Sequence, residues 1–208
     1  MYAIVESNTV TKIINNPKAL TIGDVQYPSK IFGLWSEAEL KAIGIYVVEF
    51  DTTNKGDEEY YINTNETFAY DSDNDKVISS YGSKTEKAIA DSLWTQQDSD
   101  DGLLPSDKSV GDVKVEGLKT IRKKIIKQKA SGLLNDTDWY NHKALDDDTF
   151  SIPSNIKTYR SNVRAKSNEM ETKIDNCANV EALITLYAYT TTDGVTSRPL
   201  GEFPTLEL

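Results

Sequence analysis

Two apolar stripes constrain this chain more than any other feature. In residues 117–131, GLKTIRKKIIKQKAS, Leu118, Ile121 and Ile125 recur at i, i+3 and i+7, and Ile126 widens the stripe. In residues 153–176, PSNIKTYRSNVRAKSNEMETKIDN, Ile156, Tyr159, Val163, Met170 and Ile174 repeat the pattern, and Pro153 suits the first turn. A helix with one apolar face must bury it against another element, and the simplest partner for each stripe is the other. The spacing therefore predicts an antiparallel helix pair. The stretch LLNDTDWY (residues 133–140) is its joint, and Trp139 stands where it would plug the open end.

The front of the chain has a different period. Residues 2–5 and 9–14 are β-prone runs separated by Glu6, Ser7 and Asn8, which reads as a hairpin. A short strand is expected near residues 21–25. Ser36 with Glu39 three residues later forms a capping-box signature for a short helix ending at Gly44. Strands follow at residues 45–50, 60–62, 67–70 and 77–81. The predicted organisation is a β-rich attachment lobe over residues 1–82 and a helix plus acidic linker over residues 83–116. A helical hairpin lobe over 117–189 and an extended tail over 190–208 complete it. Within these, helices are expected at residues 84–97, with Ala88, Ile89 and Leu93 on one face and Trp94 at its edge, and at 180–189. Residues 98–113 and 143–151 read as acidic loops, and the tail as lying over its own lobe or over a neighbour. The fold class is α+β.

Charge narrows the choice of partner. The chain carries a formal charge of −10. Against that background, Lys119, Arg122, Lys123, Lys124, Lys127 and Lys129 crowd one helix with no acid among them. An acidic body with one basic helix argues against nucleic acid, because phosphate binding needs a net attractive field. The basic residues read as a solvated face neutralised by acidic neighbours, or as one that meets an acidic surface on another subunit. No run approaches the roughly 18 apolar residues of a membrane helix, and the first ten residues, MYAIVESNTV, do not form a leader. The chain is therefore expected to be made and to work in water, with no membrane insertion.

The sequence offers little for catalysis. One histidine, His142, and one cysteine, Cys177, would have to converge in space to form a nucleophilic pair. They are too few for zinc, and no glycine-rich phosphate loop is present. Asp71, Asp73 and Asp75 open like a calcium loop, but Lys76 stands at the sixth position and Gly82 at the twelfth, which removes the sharp turn and the bidentate ligand. A polar hairpin turn is the simpler reading, with a metal-dependent receptor-binding module as the alternative. Asp98, Asp100, Asp101 and Asp146, Asp147, Asp148 read as solubilising loop charges; only an unspecified carboxylate pair among them would serve an envelope-degrading hydrolase. No enzyme activity, cofactor or metal is expected.

The most distinctive residues flank the joint. Arg160 and Arg164, four apart, share a helix face, and Asp136 and Asp138 are available partners. An arginine–aspartate clasp closing the hairpin is the expectation, with Tyr159 beside it. The run Leu133-Leu134-x-x-Thr137-Asp138-Trp139, then Ile152-Pro153, then Tyr159-Arg160-x-x-Val163-Arg164 resembles the C-terminal segment of bacteriophage tail fibre assembly and tail assembly chaperone-like proteins. The opening residues 1–7, Tyr27-Pro28 and residues 36–45 also resemble the N-terminal module of phage tail proteins. Asn141 and His142 depart from the apolar pair usual after that tryptophan element. The resemblance implies a multi-copy, non-catalytic virion or assembly protein, made in the host cytoplasm, that docks onto other tail or tail-fibre subunits. In it, Asp138, Trp139, Tyr159, Arg160 and Arg164 would be the interaction and structural residues.

Overall fold

The chain begins with the expected hairpin. Strand β1 (Tyr2–Glu6) pairs antiparallel with β2 (Thr9–Ile14), and Ser7 and Asn8 make the two-residue turn with φ of 51° and 60°. Both central residues are left-handed, as a tight hairpin matched to strand twist requires. In this computed structural model, which describes residues 1–206, the chain divides into two compact units, Met1–Thr85 and Glu86–Leu208.

In the first unit a five-stranded sheet runs in the order β2-β1-β5-β7-β6, with β5 (Ile45–Asp51), β6 (Tyr61–Asp71) and β7 (Lys76–Glu86). β5 lies antiparallel to β1 and parallel to β7. A small hairpin, β3 (Leu20–Ile22) with β4 (Val25–Tyr27), and two short helices, α1 (Ile31–Leu34) and α2 (Glu37–Lys41), fill the β2-to-β5 connection. Ser36 and Glu39 form the capping box at α2 as expected. Gly44 follows with φ 78°, and a Cβ there would lie 2.9 Å from the Val5 carbonyl oxygen, so only glycine fits this crossing.

Alternation along the strands gives the sheet two apolar faces. One carries Ile45, which packs with Ile31, Leu40, Tyr2, Leu20, Tyr27 and Trp35 under the helices and the small hairpin. The other carries Ala3, Val48 and Val77, against which Val10 and Ile13 of β2 and Phe68 and Tyr70 of β6 also pack. Residues from both edge strands meet there, so the sheet curls over its own second face.

The second unit is helical. A short antiparallel pair, β8 (Ser92–Leu93) and β9 (Val113–Val115), brackets α3 (Gln96–Asp100). Helices α4 (Leu118–Asn135), α5 (Asp138–Asp146), α6 (Ser154–Asp175) and α7 (Val180–Tyr187) follow. A hairpin of β10 (Thr190–Thr192) and β11 (Val195–Ser197) comes last. α4 and α6 form the antiparallel pair. Lys119 and Lys123 at the start of α4 reach Asp175 at the end of α6, while Ala130, Leu133 and Leu134 pack with Tyr159 and Val163 near its start. After the hairpin the chain returns to its own unit. Leu200 is fully buried, and Phe203 and Leu206 pack on the Tyr159–Val163 cluster.

Several expectations are corrected. The helix expected over residues 84–97 does not form before Gln96, where α3 begins: β7 runs to Glu86, and the carbonyls of Ala88 and Ile89 instead accept hydrogen bonds from the N–H groups of Leu118 and Lys119. The segment caps the start of α4, and tertiary use of its backbone overrides its local periodicity. Gly117 sits so close that a Cβ would lie 2.3 Å from the Ala90 carbonyl carbon. The unit boundary accordingly falls after Thr85 rather than after Gly82. Residues 98–113 are tied down by a Thr95–Asp98 capping box and by Lys114 on Asp98. Residues 143–146 belong to α5 rather than to a loop. The tail forms a hairpin and a packed return over its own lobe; Glu207 and Leu208 lie outside the described residues.

On α4 the buried face is Leu118, Arg122, Ile126 and Ala130, while Ile121 is 41% exposed. The stripe is thus turned from the expected one, and Arg122, assigned to the solvated face, lies inside it. Its guanidinium sits 4.9 Å from the centre of the Tyr187 ring, a stacking that Arg makes better than Lys. Three of the other basic residues do find acids within the unit: Lys123 meets Asp175, Lys127 meets Glu171 and Lys124 meets Glu116, while Lys119 reaches the Asp175 backbone carbonyl. Among the described residues no helix is long and apolar enough to cross a membrane.

Candidate functional site

The joint between α4 and α6 gathers most of the residues singled out above. α4 ends at Asn135, so the carbonyls of its last turn have no partner within the helix. Arg160, nearly two turns into α6 and 7% exposed, points back at that end. Its Nη1 donates to the Leu134 carbonyl at 2.8 Å and to Thr137 Oγ1 at 2.6 Å, and Nη2 donates to Asp138 Oδ1 at 2.6 Å. A cation at a helix C-terminus also complements the macrodipole. Asp138, in the first turn of α5, stands at the opposite, positive end of the next helix. One guanidinium therefore fixes where α4 stops, where α5 starts and how α6 lies against both.

The clasp thus forms through Arg160 and Asp138. Asp136, the other proposed acid, is the exposed C-cap of α4 and takes no part. Arg164 does not join either. Its Nη1 reaches only the Arg160 carbonyl, at 3.4 Å, and among the described residues no carboxylate lies within ion-pair distance of it. Tyr159 is buried in the apolar cluster with Ala130 and Val163. The residue that sequence reasoning passed over is Thr137: 2% exposed, it accepts from Arg160 and donates to the Leu134 carbonyl at 2.9 Å. A threonine directly before the aspartate of a helix start was the available signal.

Trp139 does not plug the pair; Thr137 and Arg160 fill that place. The indole is 52% exposed on α5 and stacks on Tyr140, ring centres 3.8 Å apart, with Phe150 6.4 Å away. Lys143 Nζ lies 4.4 Å from the centre of the Phe150 ring, and Leu145, on the same short helix, is 79% exposed. The clasp therefore holds rigidly a helix that offers aromatic and aliphatic surface to solvent. Exposed apolar surface backed by a fixed scaffold is the usual make-up of a protein-binding patch.

The remaining candidates do not assemble into reactive groups. His142 is exposed on α5, whereas Cys177 is buried just beyond the far end of α6, about 25 Å along that helix from Arg160 at 1.5 Å per residue. Burial raises the Cys177 thiol above its ordinary range, away from the thiolate a nucleophile needs. Asp71 accepts from the backbone of Asp73 and Asn74 and from the Asn74 amide, and Asp75 from the hydroxyls of Tyr46 and Tyr70 and from Lys41, so these acids build the β6–β7 turn. Those bonds hold both carboxyls below the usual carboxylate range. Among the described residues no cluster of three metal-ligating side chains occurs.

Comparison with known proteins adds no relative: no protein-family model matches the chain, and no curated protein or solved structure shows significant similarity to it.

Proposed function

We propose that this chain is a phage tail-associated structural or assembly protein that docks, without catalysis, onto other tail or tail-fibre subunits. One observation carries the reading. Thr137 and Asp138, which lie in one short motif resembling tail proteins, stand 23 and 22 residues before Arg160 of the other, and each meets it at 2.6 Å in one joint. A motif built to position a helix, rather than to hold a reacting atom, suits a scaffold for a contact surface. α5 is the helix so positioned, and Trp139, Tyr140 and Phe150 are its contact residues. The partner is a tail subunit, and the place of work is the virion tail or its assembly intermediate.

The test uses the full chain carrying an affinity tag in infected cells, with gold-labelled antibody against the tag viewed on purified tail particles. Label on tails or tail precursors is expected. Trp139→Ala is expected to remove it while leaving the melting temperature within about 2 °C, since the indole is half exposed and surface changes usually stay within ±0.5 kcal/mol. Absence of the chain from every tail particle, or full labelling with Trp139→Ala, overturns the reading.

A further inference from the structure

Arg164 is the charged residue of the tail-like motif that the clasp leaves unused, and its surroundings suggest a ligand. It opens onto a groove of about 530 Å³ between α4 and α6, lined also by Lys127, Ala130, Leu134, Ser167 and Glu171. The groove's other charges are matched: Arg160 holds Asp138 at 2.6 Å, and Lys127 holds Glu171 at 3.3 Å. Arg164 is the surplus. Its long contact to the Arg160 carbonyl is made to an oxygen that the helix ladder already uses, so most of its five donors are left uncommitted within the fold at the groove it lines.

We propose that this groove takes a glutamate side chain from an acidic segment of a partner protein, with Arg164 as its anchor. The guanidinium fork matches a carboxylate with two parallel hydrogen bonds. A single negative charge balances the single surplus cation, whereas a phosphate dianion would meet the two carboxylates already fixed on the walls. Ala130 and Leu134 supply apolar surface for the methylenes of a glutamate stem. The groove is open and larger than one carboxylate needs, which suits a side chain presented on a chain rather than a free acid. The inference rests on the docking reading for the partner being a protein. Its test is independent of that reading, because it needs only the isolated full chain.

The probe is a fluorescein-labelled, C-terminally amidated hexaglutamate peptide followed by anisotropy at low salt, where surface charge is least screened. Saturable binding is expected, weakened at least tenfold by Arg164→Gln and less by Arg164→Lys, which keeps the charge but not the fork. Glu171→Gln removes a competing carboxylate and frees Lys127, so binding is expected to tighten several-fold. Lys157→Gln, an exposed position on α6 outside the groove, is expected to change nothing. Glutarate should displace the peptide at concentrations where inorganic phosphate does not. The proposal is overturned if wild type fails to bind at millimolar peptide, if Arg164→Gln binds as wild type, or if Lys157→Gln loses as much as Arg164→Gln. Displacement by phosphate as effective as by glutarate, or binding left unchanged or weakened by Glu171→Gln, overturns it too.

Discussion

The two units differ in what they add to a hydrocarbon core. The first buries hydrocarbon on both faces of a sheet, with Ile45, Ile31 and Leu40 on one side and Ala3, Val48 and Val77 on the other. The second also buries two arginines, Arg122 of α4 over Tyr187 of α7 and Arg160 of α6 in the joint. Hydrophobic burial is non-directional and tolerates exchange of similar volumes. A buried guanidinium is satisfied only when specific oxygens stand at specific places, so it fixes register at the risk of a large penalty when a partner is lost. The sheet's interior thus fixes that something packs there, and the helix joint's interior fixes what packs.

The sharpest way to break this contrast is to remove one anchor from each unit. Arg160→Ala takes a donor from the Leu134 carbonyl, the Thr137 hydroxyl and Asp138 at once; because Thr137 still bonds the Leu134 carbonyl and the Asp138 side chain is 44% exposed, the expected cost is about 2–3 kcal/mol, below that of splitting a fully buried pair. Ile45→Ala is expected to cost about 2–5 kcal/mol through lost transfer energy and a cavity. The distinguishing result is in the rescue. Ile45→Val should recover most of the sheet's stability, whereas Arg160→Lys should recover little, because a single ammonium cannot span the oxygens that Nη1 and Nη2 serve. Hydrogen exchange of amides in β5 and in α4 reads the two units separately. Equal recovery by both conservative variants would abolish the contrast.

What could be read from the sequence follows the same division. On α6 all five stripe residues are buried, with Arg160 and Ser167 buried beside them without turning the face. On α4 the stripe was misplaced because Arg122 was assigned to water by its charge. Only tertiary contact with Tyr187, 65 residues later, turns it inward. The same blindness hid residues 84–97, whose Ala88, Ile89 and Leu93 mimic a helical period while their backbone serves another element. It also shortened β6 and β7, whose outer parts, residues 64–66 and 82–86, are exposed polar ribbon without alternation. The clasp was legible in part: two arginines and two aspartates could be named, but choosing Arg160 with Asp138 needed the geometry of a helix end.

An intermediate effect comes from the start of α4. Asp91 accepts from the Gly117 backbone N–H at 2.7 Å and from Thr120 Oγ1 at 2.9 Å, capping the helix from a distant segment. Asp91→Ala is expected to cost about 1 kcal/mol, the usual worth of an N-cap. The backbone bond from Gly117, then the Thr120 hydroxyl, hold this carboxyl below its ordinary value. A depressed folded-state pKa gives stability that is fully present above the unfolded value of about 3.9 and is lost as pH falls through the folded one. Wild type and Asp91→Ala should therefore differ in melting temperature at pH 6 and converge progressively as the pH falls below the unfolded value of about 3.9. A difference that persists unchanged into acid would mean the charge is irrelevant and only packing is lost.

The smallest expected effect sharpens the comparison within one helix. Arg160 and Arg164 occupy adjacent turns of α6, yet one is enclosed by three oxygens and the other makes a single long contact at 3.4 Å. Arg164→Gln is accordingly expected to change stability by less than about 0.5 kcal/mol, as for surface substitutions away from any network. Added salt should leave that difference near zero, since there is no ion pair to screen. A loss of 2 kcal/mol or more in the urea unfolding of Arg164→Gln would show that this arginine supports the fold after all. It would also mean that the clasp is a two-arginine device rather than the work of Arg160 with Thr137 and Asp138.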